Sequence, residues 1–303
     1  MHSFALIFAS VIWGTAFVAQ STGGDLLGSW TMNGMRSVIA CIVLAIAVKC
    51  FDRFGLAHPP KTKEERTGLW KAGILAGLAL FTASTLQQFG ITLGDSAGKA
   101  GFLTANYIVL VPIFGMVIGR KCHWNVWISA AVASVGLYLL CIKGEFVFSA
   151  PDIMLLLCAI AYSVQILIID QLGSHCDPVR MSCIQFGTVG LLSIVPMLVT
   201  ETLPDPAAWL RAFADPTAMG SLLYAAVLSS GVAYTLQIVG QQGLHPAVAS
   251  LLMSLESVFS VLAGWLILHE QLSAQELTGC CVIFAAILLA QLPVQNWGKK
   301  AKA

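Results

Sequence analysis

One carboxylate, Glu256, stands inside the otherwise apolar run 246–268. It lies ten positions into that run, and at 1.5 Å per helical residue this is about 15 Å deep, near the middle of a hydrocarbon core about 30 Å thick. An ionised carboxylate at that depth costs at least about 2.5–3.5 kcal/mol on insertion scales, so it must face a cavity, take a partner or keep its proton. The chemistry open to it is proton exchange coupled to solute movement, or direct contact with a solute. The competing reading is structural, an anchor hydrogen-bonded to glutamines of the third or eighth apolar run.

Shifting the numbering by 150 places Asn106 on Glu256, also ten positions into its own run, 96–118. Two polar groups at mid-depth are expected to line one cavity. On the eighth run Tyr234, Gln237 and Gln241 fall at i, i+3 and i+7, one helical face, and Ser84, Gln87 and Ile91 hold the matching positions of the third run. Trp13, Phe17 and Gln20 share a face of the first run, Tyr162 and Gln165 a face of the sixth. Such faces offer stacking surfaces and neutral hydrogen-bonding groups, suited to a flat or amphipathic organic solute rather than a bare ion. The plainer alternative is that Trp13 and Tyr162 only pack. Arg36 and Lys99 also lie within apolar runs. Lys99 is near enough to a run's end to snorkel outward, whereas Arg36 is deeper and is expected to meet a substrate carboxylate or a helix carbonyl. The expected substrate-binding set is therefore Trp13, Gln20, Arg36, Gln87, Asn106, Tyr162, Gln165, Tyr234, Gln237 and Gln241, with Glu256 as the proton-coupling group.

Other chemistries find less support. Gly94-Asp95-Ser96-Ala97-Gly98 matches Gly-x-Ser-x-Gly, but a nucleophile elbow needs a strand before it and a helix after it. Here the motif joins two apolar runs, and Ser96 sits where a helix N-cap is wanted. An intramembrane hydrolase using Ser96 is a remote alternative. None of the nine cysteines forms a Cys-x-x-Cys pair, so no zinc site, disulfide frame or other cofactor is expected. With no nucleotide-binding loop, movement of a solute would be driven by gradients. The expected partners are a small-molecule substrate and membrane lipid, with no nucleic acid, the chain acting as a monomer or homodimer.

The elements that must position these residues follow from composition. Hydrophobic residues make up 57% of the chain and charged residues 10%, against about 25% charged in soluble domains. Ten runs are long enough to cross a bilayer as helices: 3–21, 29–51, 70–92, 96–118, 124–143, 152–172, 179–200, 217–242, 246–268 and 274–292. The chain is expected to be an all-α membrane protein, since a barrel would show short alternating segments instead. No basic residue precedes the first run and Trp13-Gly14-Thr15 interrupts it, so it reads as a retained helix rather than a cleaved signal. With the N-terminus inside, twelve basic residues fall in inner segments and two, Lys143 and Arg211, in outer ones. That bias predicts both termini in the cytoplasm and residence in the cell membrane.

Residues 86–140 lie on residues 236–290 without a gap, and the positions of the apolar runs and polar breaks repeat. Five runs per half make the copies inverted, an arrangement that exchanges inward-open and outward-open shapes around a midplane site. The expected units are 1–143 and 152–292, joined by a linker over 144–151 and followed by a tail over 293–303. Pro151, Pro178 and Pro246 suit helix starts, whereas Pro112 and Pro196 fall inside runs and should bend them, as static kinks or flexing points. Gly73-x-x-x-Gly77 and Gly115-x-x-x-Gly119 predict close helix packing.

The run Ala9 to Gln20 with Trp13-Gly14-Thr15, the segment Ser96 to Phe102 continuing to Pro112, and Ser254-Leu255-Glu256-Ser257-Val258-Phe259 leading to Leu268-His269-Glu270-Gln271-Leu272 and Gly279 resemble EamA-type members of the drug/metabolite transporter superfamily. The resemblance covers nearly the whole chain. It implies ten helices in two EamA units, cytoplasmic termini, and export or uptake of a small organic metabolite; such relatives carry amino acids, nucleobases, vitamins and sugars. Ser257 stands where many of them have proline, and Tyr162-Ser163 where a second Trp-Gly is expected. The expected function is secondary active, proton-coupled transport of an amino acid-, nucleobase- or vitamin-like metabolite by alternating access. A passive channel or facilitator for the same solutes is the alternative.

Overall fold

The computed structural model describes residues 1–55, 59–94, 97–142, 148–268 and 273–292. Ser96, Lys143 with the first half of the expected linker, the segment 269–272 and the tail from 293 lie outside the described residues. The described residues form helices and connecting turns, with no strand among them. Ten helical stretches are long and apolar enough to cross a membrane: α1 His2–Leu27, α2 Ser29–Arg53, α3 Lys63–Thr92, α4 Lys99–Val117, α5 Trp124–Cys141, α6 Ala150–Leu172, α7 Pro178–Thr202, α8 Pro216–Gln241, α9 Pro246–Ala263 and α10 Ala274–Gln291. Hydropathy finds them all but misplaces several ends. The amphipathic first turns of α3 extend to Lys63, started by a capping box in which Thr62 and Glu65 satisfy each other's backbone N–H groups. Ser149 with Asp152 and Ser273 with Glu276 start α6 and α10 in the same way, and Pro151, Pro178 and Pro246 sit in first turns.

The packing has the symmetry of an inverted repeat. Exchanging the two sets of five helices turns the contact of α3 with α6 into that of α8 with α1, α3 with α7 into α8 with α2, and α1 with α9 into α6 with α4; each of these contacts is present. The pairs α2/α7, α4/α9 and α5/α10 map onto themselves, and they too are present. Burial separates centre from rim: the most apolar window of α9 is 67% buried and that of α2 only 28%. Small residues permit the closest approaches. A Cβ on Gly279 would lie 2.8 Å from the Gly136 carbonyl oxygen, so α5 and α10 meet backbone to backbone. On α3, Gly73 and Gly77 lie against Ile184 and Thr188 of α7 and form the close packing their spacing predicts. Gly115 makes only ordinary contacts. Gly119, at φ 84°, ends its helix with open space around it.

Four interruptions break the regular helices. In α4 the helix opens at Ala105–Asn106, and in α9 at Ser254. The backbone there is nearly identical, φ −59°, ψ −10° at Asn106 and φ −63°, ψ −11° at Ser254. In both, a polar side chain takes a carbonyl from the preceding turn: Asn106 Nδ2 donates to Phe102 and Leu103 oxygens at 3.0 and 3.2 Å, and Ser254 Oγ to that of Leu251 at 2.8 Å. Pro112, lacking an N–H, adds a further missing hydrogen bond in α4. In α7 and α8 the backbone widens into π-helical turns over Leu198–Thr202, just after Pro196, and Tyr224–Ala233. At the end of α2 nearest α7, Glu201 accepts hydrogen bonds from the Trp30 and Thr31 N–H groups at 2.9 and 2.6 Å, a carboxylate on a helix N-terminus.

Candidate functional site

The two broken helices meet beside a half-open cavity of about 40 Å³ walled by seven helices. Glu256 enters it from the first turn after the break in α9, 8% exposed. Tyr107, the first residue after the break in α4, donates its hydroxyl to Glu256 Oε1 at 3.1 Å. The other carboxylate oxygen has no protein donor among the described residues. Gly14 fixes how near α1 comes to this carboxylate: a Cβ there would lie 2.7 Å from both the Glu256 carbonyl oxygen and the Ser260 nitrogen.

Arg36 reaches the same cavity from α2, 4% exposed. Its Nη1 donates to Gln20 Oε1 at 2.9 Å, and Nη2 and Nε to Asn33 Oδ1 at 3.0 and 3.3 Å. Asn33 is held in turn by Thr85 at 3.2 Å, and Gln88 donates to the Gln20 carbonyl at 3.0 Å. Guanidinium offers five N–H donors, so two remain for a cavity solute. No ion pair joins Arg36 to Glu256 among the described residues. The cavity thus carries one buried guanidinium and one buried carboxyl group, each held by neutral groups and not paired with the other.

Between the charges lie aromatic rings and amides. The Tyr162 hydroxyl donates to Gln87 Oε1 at 2.9 Å and lies 3.1 Å from the Tyr234 hydroxyl. Tyr234 is wedged edge-on between Trp13, centroids 4.9 Å apart, and Phe186, 5.2 Å. Behind them Gln165 and Gln237 exchange amide hydrogen bonds at 3.5 and 3.1 Å. The Trp13 indole N–H is buried without a partner among the described residues, an open donor at the cavity wall.

Of the residues the sequence singles out, Trp13, Gln20, Arg36, Gln87, Tyr162, Tyr234, Gln237 and Glu256 line this one cavity. Three stand apart. Asn106 spends its amide on its own helix, Gln165 sits behind Gln237, and Gln241 lies further along α8, its amide donating weakly to the Ile166 carbonyl at 3.5 Å. Lys99, expected to snorkel, is 2.6 Å from Asp152 in the first turn of α6. Phe17, named with Trp13 and Gln20 on one face of the first run, lines the cavity too, and Tyr107, Thr104, Ile166, Ser229 and Met253 complete the wall without having been singled out. Tyr107 was findable: it is next to the repeat counterpart of Glu256, and a hydroxyl in an apolar run needs a partner.

An inverted ten-helix bundle closed around a polar, aromatic-walled cavity at two broken helices has the form of a multi-pass membrane transporter. A model of the EamA-like transporter family matches residues 2–142 and again 149–292, and the chain belongs to that family. It is similar to a protein of Archaeoglobus fulgidus described as an uncharacterized transporter, 26% identical over 290 residues covering 95% of this chain and 85% of the other. The Bacillus subtilis protein described as uncharacterized transporter YoaV is 23% identical, covering 92% and 94%. A solved structure sharing 16% of residues superposes with a TM-score of 0.76 over 96% of both chains, so the fold is common to them. The protein is a membrane transporter of small solutes.

Proposed function

We propose that this protein is a secondary active transporter of a small organic metabolite, amino acid-, nucleobase- or vitamin-like, with Glu256 exchanging a proton as the solute moves. The observation that carries this reading is the placement of Arg36 and Glu256 on one cavity, unpaired with each other and separated by aromatic rings. A solute with a planar body and a carboxylate or other acceptor would sit between them once the walls part, the acceptor toward the free donors of Arg36 and the ring against Trp13, Tyr162 and Tyr234. A unit charge about 4 Å from Arg36 gains roughly 4 kcal/mol at an effective dielectric of 20, which offsets part of the solute's desolvation. Glu256 accepts from Tyr107 when ionised and is cheapest to bury when protonated, so its proton changes what the cavity holds best. The two units, 1–143 and 152–292 with their connection over 144–151, rock about the pseudo-two-fold axis and open the cavity alternately to each side. The twelve-to-two basic bias supports a cell-membrane protein with both termini in the cytoplasm.

The test is flux of labelled amino acids, nucleobases and vitamins into vesicles holding the purified protein, with and without an imposed pH gradient. The proposal expects the gradient to drive accumulation of at least one solute and Glu256→Gln to abolish that drive. Flux that ignores the gradient and is normal in Glu256→Gln makes the protein a passive facilitator.

A further inference from the structure

Where α2 ends and α3 begins, a groove of about 800 Å³ opens between α2, α3 and α7. It lies apart from the solute cavity and shares no residue with it. Its rim carries five cations, Lys49, Lys61, Lys63, Arg66 and Arg180, and no carboxylate among the described residues lines it. The nearby acids are engaged or exposed. Asp52 is bonded to Arg180, Glu65 accepts from the Lys61 and Thr62 N–H groups, and Glu64 is exposed. Arg180 Nε has no acceptor among the described residues, so the guanidinium is not saturated by protein.

Below this rim the walls turn apolar: Ala45 and Val48 of α2, Leu69 and Trp70 of α3, and Ile184 of α7. The apolar wall continues onto the membrane-facing surface, where Trp70, Ile46 and Ile74 are 52%, 57% and 40% exposed. One turn deeper, Gly73 lets α3 close directly on Ile184, so the groove ends within the leaflet. Trp70 stands at the level where aromatic residues mark a membrane interface. A free anion would use the cations and leave the apolar wall empty; a neutral lipid would use the wall and leave the cations unmatched.

We infer that this groove binds an anionic phospholipid of the adjoining leaflet, phosphate among the basic rim and an acyl chain along the apolar wall. Basic pockets between membrane helices hold such headgroups. The site is independent of what the central cavity carries.

Native mass spectrometry of the detergent-purified full chain, given equal amounts of phosphatidylglycerol and phosphatidylcholine, tests this. The wild type should retain phosphatidylglycerol in preference by roughly tenfold, and the exposed triple variant K61Q/K63Q/R66Q should lose most of that preference. Added inorganic phosphate should displace little of the lipid. Equal retention of the two lipids, an unchanged preference in the variant, or full displacement by phosphate would overturn the inference.

Discussion

Replacing Tyr107 with Phe removes from Glu256 the protein donor that holds its carboxylate, and nothing else in the wall changes shape. Hydrogen bonds to charged groups are worth about 1.5–3 kcal/mol, so proton-driven flux should fall by roughly tenfold or more, and heat stability should fall by no more than about 3 kcal/mol. Flux equal to wild type would show that Glu256 works without Tyr107. Charge was what made this scale legible in the sequence. A lone acid and a deep arginine in apolar runs require explanation by their cost alone, and both line the cavity. Hydroxyls and amides signal less, because each can be satisfied by its own helix. That is where Asn106 goes, and the neighbouring tyrosine takes the place expected for it.

The elements set the depth of these groups through a few close approaches. Gly14→Ala would drive a methyl against backbone atoms of α9 that have no freedom to yield. Overpacking of this kind costs about 1–3 kcal/mol, so the variant should melt at lower temperature and transport poorly. Gly220→Ala is the contrast: it is helical with nothing within 4 Å of the added Cβ, and should leave stability unchanged or raise it by up to about 1 kcal/mol. Equal melting points for the two variants would refute the steric account. The ten helices could be read from hydropathy, and Pro112 and Pro196 each mark a neighbourhood where the helix is irregular. The openings at Asn106 and Ser254 could not, since an apolar run scores alike whether or not one carbonyl is claimed by a side chain.

For the whole molecule, the doubled hydropathy pattern and the odd number of spans per half anticipate the symmetric contacts among the helices. Sequence does not say which contacts a transport cycle must break. The α2/α7 pair lies on the pseudo-axis and carries two thiols, Cys41 and Cys183, 3.9 Å apart. Mild oxidation with copper phenanthroline should join them at a bond length of about 2.05 Å, and if this pair slides as the halves rock, flux should drop several-fold and return with reductant. Cys183→Ser should be immune. Undiminished flux in the crosslinked protein would mean that α2 and α7 move as one.

The central claim is that solute binds between Arg36 and Glu256. Heat stabilisation of the purified protein across a panel of amino acids, nucleobases and vitamins tests it most directly, because a ligand stabilises the folded state it binds. The account predicts at least one compound that raises the melting temperature of the wild type and fails to raise that of folded Arg36→Gln or Glu256→Gln. A compound that stabilises all three proteins equally would place the binding site elsewhere and contradict it.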